Sequence, residues 1–270
     1  MADMNELGFT FAGLMVGLIV GLTGVGGGSL MTPILIFFFD IKPYLAVGTD
    51  LLFAAFTKGA GTLNMARQRL VHWRIVATLC AGSLPAAALT LALLQHMGPA
   101  EERVQHIMKS TLGLALLLTS AAMLYKAIKG KTAPTALPGA ELEVATRPRH
   151  GALPVLFGAV IGVLVTLTSV GAGAIGVSVL MILYPRLPIA RIVAIDIAYA
   201  VPLTLLAGLG HASMGSVHWS MLGYLLAGSL PGIWIGSMLV HRAPDRLIRS
   251  FLSLLLAWAG SKLEIGRAHV

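Results

Sequence analysis

Charge is scarce in this sequence. Only 11% of its 270 residues are Asp, Glu, Lys or Arg, against 57% hydrophobic residues, and the mean hydropathy is +0.86. A water-soluble domain carries about 25% charged residues, so that class is excluded and a polytopic helical membrane protein remains. Cysteine is nearly absent too. Cys80 stands alone, which rules out an internal disulfide or a cysteine-based metal cluster; within its apolar run it reads as a small packed residue. Nothing fits G-x-x-x-x-G-K-[ST], so ATP would need a separate subunit. No H-E-x-x-H and no nucleophile–base pair is found either, so no catalytic residue, metal or cofactor is read from the chain. The first six residues hold two acidic and no basic side chains, unlike a secretory signal, and the first apolar stretch is expected to stay in the mature protein. The net charge of +8 comes from basic residues gathered in short loops. That pattern orients membrane proteins and does not call for nucleic acid.

Glycine, by contrast, is abundant and placed unusually. Two runs, Thr23-Gly24-Val25-Gly26-Gly27-Gly28-Ser29 and Thr168-Ser169-Val170-Gly171-Ala172-Gly173-Ala174, each interrupt an over-long apolar segment. Glycine costs a helix about 1 kcal/mol relative to alanine, so each cluster should break its helix. Inside a bilayer, broken backbone is tolerated only where protein or a watery cavity satisfies its polar groups. Two such breaks in corresponding halves point to a transport site.

Hydropathy divides the chain into apolar segments at 9–39, 44–66, 74–95 and 104–128, and again at 152–184, 190–209, 219–240 and 247–260. The halves repeat. Val71-His72-Trp73 recurs as Val217-His218-Trp219, Ala81-Gly82-Ser83-Leu84-Pro85 as Ala227-Gly228-Ser229-Leu230-Pro231, and Asp50 as Asp196. Three domains of sequence follow: a first transmembrane repeat over 1–128, a proline- and charge-bearing cytoplasmic linker over 129–150, and a second repeat over 151–262. Residues 263–270 are set aside as a non-native tail, because 264–270 matches one reading frame of a common sequencing adapter.

Segment 9–39 would be about 46 Å long as one helix, against a hydrocarbon core of about 30 Å. Either part alone, at 12 to 15 residues, would be too short to cross. A re-entrant hairpin followed by three crossings is therefore expected in each half, and an odd count of crossings makes the repeats inverted. Loop charge agrees: Arg67, Arg69 and Arg74 flank one loop, whereas its counterpart, 211–218, has no Lys or Arg. Parallel repeats would put Arg242, Arg246 and Arg249 outside, against the usual bias.

A helix broken at mid-membrane exposes backbone N–H groups at the start of its second part, where the positive end of the dipole also favours an anion. The candidate substrate-binding residues are Thr23, Gly24, Gly26, Gly27, Gly28 and Ser29 in the first break, and Thr168, Ser169, Gly171 and Gly173 in the second. The competing reading is that the glycines only let helices pack closely. Lys58 lies near the middle of its segment, at a depth that costs about 2.5–3.5 kcal/mol on insertion scales, and would neutralise a bound anion. Asp50 and Asp196 occupy equivalent positions as candidate proton carriers, or as structural partners of neighbouring helices or of Lys58. Asn64, Tyr199, Thr57 and Thr204 are weaker candidates, Pro202 is expected to kink its helix, and His72 and His218 read as interfacial.

The glycine run at 24–28, Val47-Gly48-Thr49-Asp50, Val71-His72-Trp73-Arg74, Ala81-Gly82-Ser83-Leu84-Pro85 and their second-half copies resemble the sulfite exporter TauE/SafE family over nearly the whole chain. The resemblance implies a multi-pass permease of the bacterial inner membrane for small sulfur anions such as sulfite, thiosulfate or organosulfonates. The expected partners are a small anionic solute and the lipid bilayer, with a homo-oligomer allowed. Ala172 and Ala174 replace Gly27 and Ser29 in the second run, so the two sites need not be equal. Two other classes stay open: a non-transporting membrane assembly protein and an intramembrane enzyme.

Overall fold

The computed structural model describes residues 2–23, 28–129, 152–239, 254 and 256–262. All but the first residue of the expected linker, the tail at 263–270, residues 24–27 and the arginines at 242, 246 and 249 lie outside the described residues. Every regular element among those described is an α-helix.

In chain order these are α1 (Ala2–Thr23), α2 (Gly28–Phe39), α3 (Pro43–Arg67), α4 (Trp73–Met97), α5 (Glu102–Lys129), α6 (Leu153–Thr168), α7 (Ala174–Leu183), α8 (Ile189–Ser213) and α9 (Trp219–Leu239). Residues 256–262 are also helical. Proline opens α3 and α6, where its missing N–H would lack an intrahelical partner anyway. Pro33, Pro85, Pro202 and Pro231 lie inside α2, α4, α8 and α9. By length and composition alone, α4 and α8 are long and apolar enough to cross a membrane.

The first segment is broken, but its first arm is longer than the apolar run suggested. α1 has 22 residues, about 33 Å, because the helix continues through the polar residues before Phe9. α2 and α7, at 12 and 10 residues, are short. The rings of Phe9 and Phe39 lie 4.7 Å apart, so α2 brings the chain back to the end where α1 began.

The two halves are interleaved. α1 packs on α9, and α6 packs on α4. Both contacts use glycine to bring backbone against backbone: a Cβ at Gly13 or Gly17 would overlap the carbonyls of Leu225 and Ser229, and one at Gly158 or Gly162 those of Leu79 and Ser83. These are corresponding residues of the two halves, so one contact is made twice with its partners exchanged. Gly228 against Thr10 and Gly82 against Val155 complete the set. Small residues spaced by four let helices approach this closely.

Between these pairs lies the contact of α3 with α8. Gly48 meets His211 and Ser216, Gly208 meets Leu52, and Gly61 meets Ile197. Contact positions rise along α3 as they fall along α8, so the two corresponding helices run antiparallel. One apolar core gathers α4, α6, α7 and α8, and the other gathers α1, α2, α9 and part of 256–262; α3 and α5 contribute to both.

Candidate functional site

The second glycine run is a break in the polypeptide. α6 ends at Thr168, Ser169 takes a left-handed conformation (φ 59°), and α7 begins at Ala174. Gly171 and Gly173 have φ of 131° and 132°, a region that side chains strain to reach; the positions that became alanine are others. The hydroxyl of Thr168 is used within the break, donating to the carbonyls of Leu164 and Val170 and accepting the Val170 N–H. Ser169, Val170, Gly171, Ala172 and Gly173 are all buried. The amides of Ala174 and Ile175 open α7; the next two donate back into the break, Gly176 to the carbonyl of Gly171 at 3.0 Å and Val177 to that of Gly173 at 2.8 Å. In the first break, Gly24, Gly26 and Gly27 lie outside the described residues, as do the side chains of Thr23 and Ser29; Gly28 opens α2.

Lys58 reaches this break from the other half. It is 3% exposed, and its Nζ donates to the carbonyl of Ala172 at 3.3 Å. Both aspartates act on it electrostatically. Asp50, fully buried, accepts from the amide of Thr32 at 3.2 Å and from its hydroxyl, both on α2. Ser169, in the second break, lies beside the same carboxylate. Asp196 on α8 packs so tightly against Gly176 of α7 that a Cβ there would overlap Oδ1, and the hydroxyl of Tyr199 lies within 3.5 Å of that Cβ position. Each aspartate therefore faces the second arm of its own half's broken segment. The structure groups Lys58, Asp50, Asp196, Ser169 and the break at 169–173 around the α3–α8 contact.

Of the weaker candidates, Thr57 and Thr204 bond back to carbonyls of their own helices, and Asn64 is exposed. His72 stands at the N-cap position of α4 without a side-chain capping bond; burial and the neighbouring Arg191 and Arg74 guanidiniums hold its imidazole below the ordinary histidine value. No group of three or more metal-ligating side chains occurs among the described residues.

Sequence reasoning missed Thr32, the partner of Asp50, and His211. His211 is fully buried, and its Nε2 lies 3.0 Å from the carbonyl of Thr166 on α6. A carbonyl only accepts, so Nε2 carries the proton. Neither residue lies in a repeated motif; only their placement opposite α3 and α6 reveals them.

Comparison with known proteins bears on this arrangement. The family model for the sulfite exporter TauE/SafE matches residues 9–263. The probable membrane transporter protein YjnA of Bacillus subtilis is 37% identical over 253 residues, covering 93% of this chain and 96% of that protein. Two others from the same organism, the probable membrane transporter proteins YdhB and YunE, are 24% and 27% identical, covering 91% and 84% of this chain and 95% and 84% of their own lengths. No solved structure was found to match. The chain belongs to the sulfite exporter TauE/SafE family.

Proposed function

We propose that this protein is a secondary transporter, a multi-pass permease of the cell membrane for small sulfur-containing anions such as sulfite, thiosulfate or sulfonates. The observation that carries the reading is the buried ammonium of Lys58 held at the carbonyl of Ala172, inside the broken segment. An anion arriving there would exchange a neutral carbonyl partner for a charged one, adding charge–charge attraction in a poorly solvated site to a hydrogen bond whose donor is already ionised. It would also meet the opening amides of α7. Gly24, Gly26, Gly27, Gly28, Ser29 and Thr23 would supply the matching surface from the first half, and Ser169, Gly171 and Gly173 that from the second.

The two halves act as inverted repeats. The antiparallel course of α3 and α8 supports this, because corresponding helices of a chain duplicated in one orientation would run parallel. α2 and α7 are too short to cross a bilayer and serve as the returning arms of re-entrant hairpins. Outward-facing Leu89, Leu93, Leu156 and Trp234 suit contact with lipid.

Asp50 and Asp196 couple transport to protons. With both aspartates and Lys58 ionised, the interior carries one net negative charge, and an anion entering a poorly solvated site of that sign is repelled. Protonation of the aspartates removes the repulsion, so anion and proton travel together. A thermal-shift screen of purified protein against sulfite, thiosulfate, sulfate, sulfonates and carboxylates tests the reading. Stabilisation by sulfur anions that strengthens at lower pH is expected; no stabilisation by any anion sinks it.

A further inference from the structure

Buried polar atoms in folded proteins find partners in protein or in ordered water. Several here have none among the described residues. On the side of Lys58 toward the start of α3 are Asp50 Oδ1 and Ser169 Oγ, which neighbour one another, and His211 Nδ1 and Ser216 Oγ. Toward the end of α3 are Thr62 Oγ1, Tyr199 OH and His72 Nδ1. Ser83 Oγ, on α4 against Gly162, belongs to neither group.

Each group forms a sequence of positions between a surface turn and an aspartate. At one end, Ser216 follows α8, and its amide donates to the carbonyl of His211 at 2.9 Å. His211 is joined to α6 through Thr166, and three residues along that chain Ser169 lies beside Asp50. At the other end, His72 opens α4 next to Arg191 near the start of α8. Thr62 follows Gly61, which meets Ile197, and Tyr199 OH approaches the Gly176–Asp196 contact. Because α3 and α8 are antiparallel, the two turns lie at opposite ends of the bundle. Lys58 stands between the groups, eight residues after Asp50, or about 12 Å along the helix.

We infer that water reaches the two aspartates from opposite faces of the membrane, along two polar half-paths separated by Lys58. One is lined by Ser216, His211 and Ser169 and ends at Asp50; the other is lined by His72, Thr62 and Tyr199 and ends at Asp196. The inference rests on the proposed membrane orientation of α3 and α8, and it is independent of which solute is carried. It gives each aspartate its own bulk phase for proton exchange, while the lysine and its carbonyl partner close the middle.

The test uses full-length protein with Cys80→Ser and single cysteines at Ser216, Ser169, Thr62 or Tyr199, in right-side-out and inside-out vesicles. The probe is a charged, membrane-impermeant methanethiosulfonate. Ser213→Cys and Gln68→Cys, both exposed, report each face. Ser216→Cys and Ser169→Cys should react only from the Ser213 face, and Thr62→Cys and Tyr199→Cys only from the Gln68 face. Reaction of Ser169→Cys and Thr62→Cys from the same face, or of neither while the controls react, overturns the inference. Hydroxyl-radical footprinting of the unsubstituted protein checks variants that misfold: oxidation of both His211 and Tyr199 is expected, and protection of both counts against the paths. Anion transport is measured separately, so its loss with the labelling pattern intact counts against the anion reading alone.

Discussion

Lys58 and Ala172 meet across the duplication: a lysine from the third helix of one half binds the carbonyl at which the other half's helix is interrupted. The lysine has no counterpart, since the position corresponding to Lys58 is Thr204, whose hydroxyl bonds to its own helix at Ala200. Two similar halves therefore build one cationic centre.

Lys58→Ala is expected to leave the protein inserted while weakening sulfur-anion binding at least roughly tenfold, equivalent to about 1.4 kcal/mol. Flux of a labelled anion in proteoliposomes should be abolished. Normal flux would remove the lysine from the mechanism.

Asp50→Asn and Asp196→Asn each remove a negative charge from the interior. Anion binding should then depend less on pH, remaining strong at higher pH where the unsubstituted protein loses it. A pH gradient should no longer drive accumulation, while exchange of anion for anion persists. An unchanged pH profile in both variants would exclude these carboxylates from coupling.

Gly176→Ala places a methyl group where Asp196 Oδ1 now lies. Expected is loss of transport with the bundle otherwise intact, because the carboxylate must move. Gly59→Ala, with nothing within 4 Å of its added Cβ, should transport normally. If the two variants behave alike, the Asp196 contact has no function.

Gly82→Leu and Gly228→Leu should destabilise the protein to a similar degree, by about 1–3 kcal/mol or more, as overpacking does. Detergent thermal denaturation measures this. The similarity is the sharper part of the forecast, since both glycines face a carbonyl of a helix from the opposite half. A large loss from one and none from the other would mean that the two contacts are not equivalent.

The sequence disclosed the helical class through its composition and the second break through its glycines; α6 stops at Thr168 and α7 starts at Ala174, the ends of the run. Hydropathy underestimated α1, because a helix does not end where its side chains turn polar. The interleaving of α1 with α9 was not legible. Gly13 and Gly17, or Gly158 and Gly162, show the spacing of close packing, yet spacing names no partner, and the partners lie far along the chain. Lys58 was visible as a charge too deep to reach water, but its carbonyl acceptor was not. Asp50 and Asp196 stood out by repetition, whereas Thr32 and His211 have no such mark, and only tertiary packing brings them to the site.

The docking of α1 on α9 also has a consequence in time. As the ribosome delivers the chain, the opening helix presents Gly13 and Gly17 long before the surface they fit has been synthesised. Contacts between such distant positions are slow to form. Until α9 emerges, that notched face must be held by lipid or by the insertion machinery, and a product truncated after α5 never acquires its mate. Neither half can complete itself, so assembly of this protein waits until α9, in the second half, has been translated.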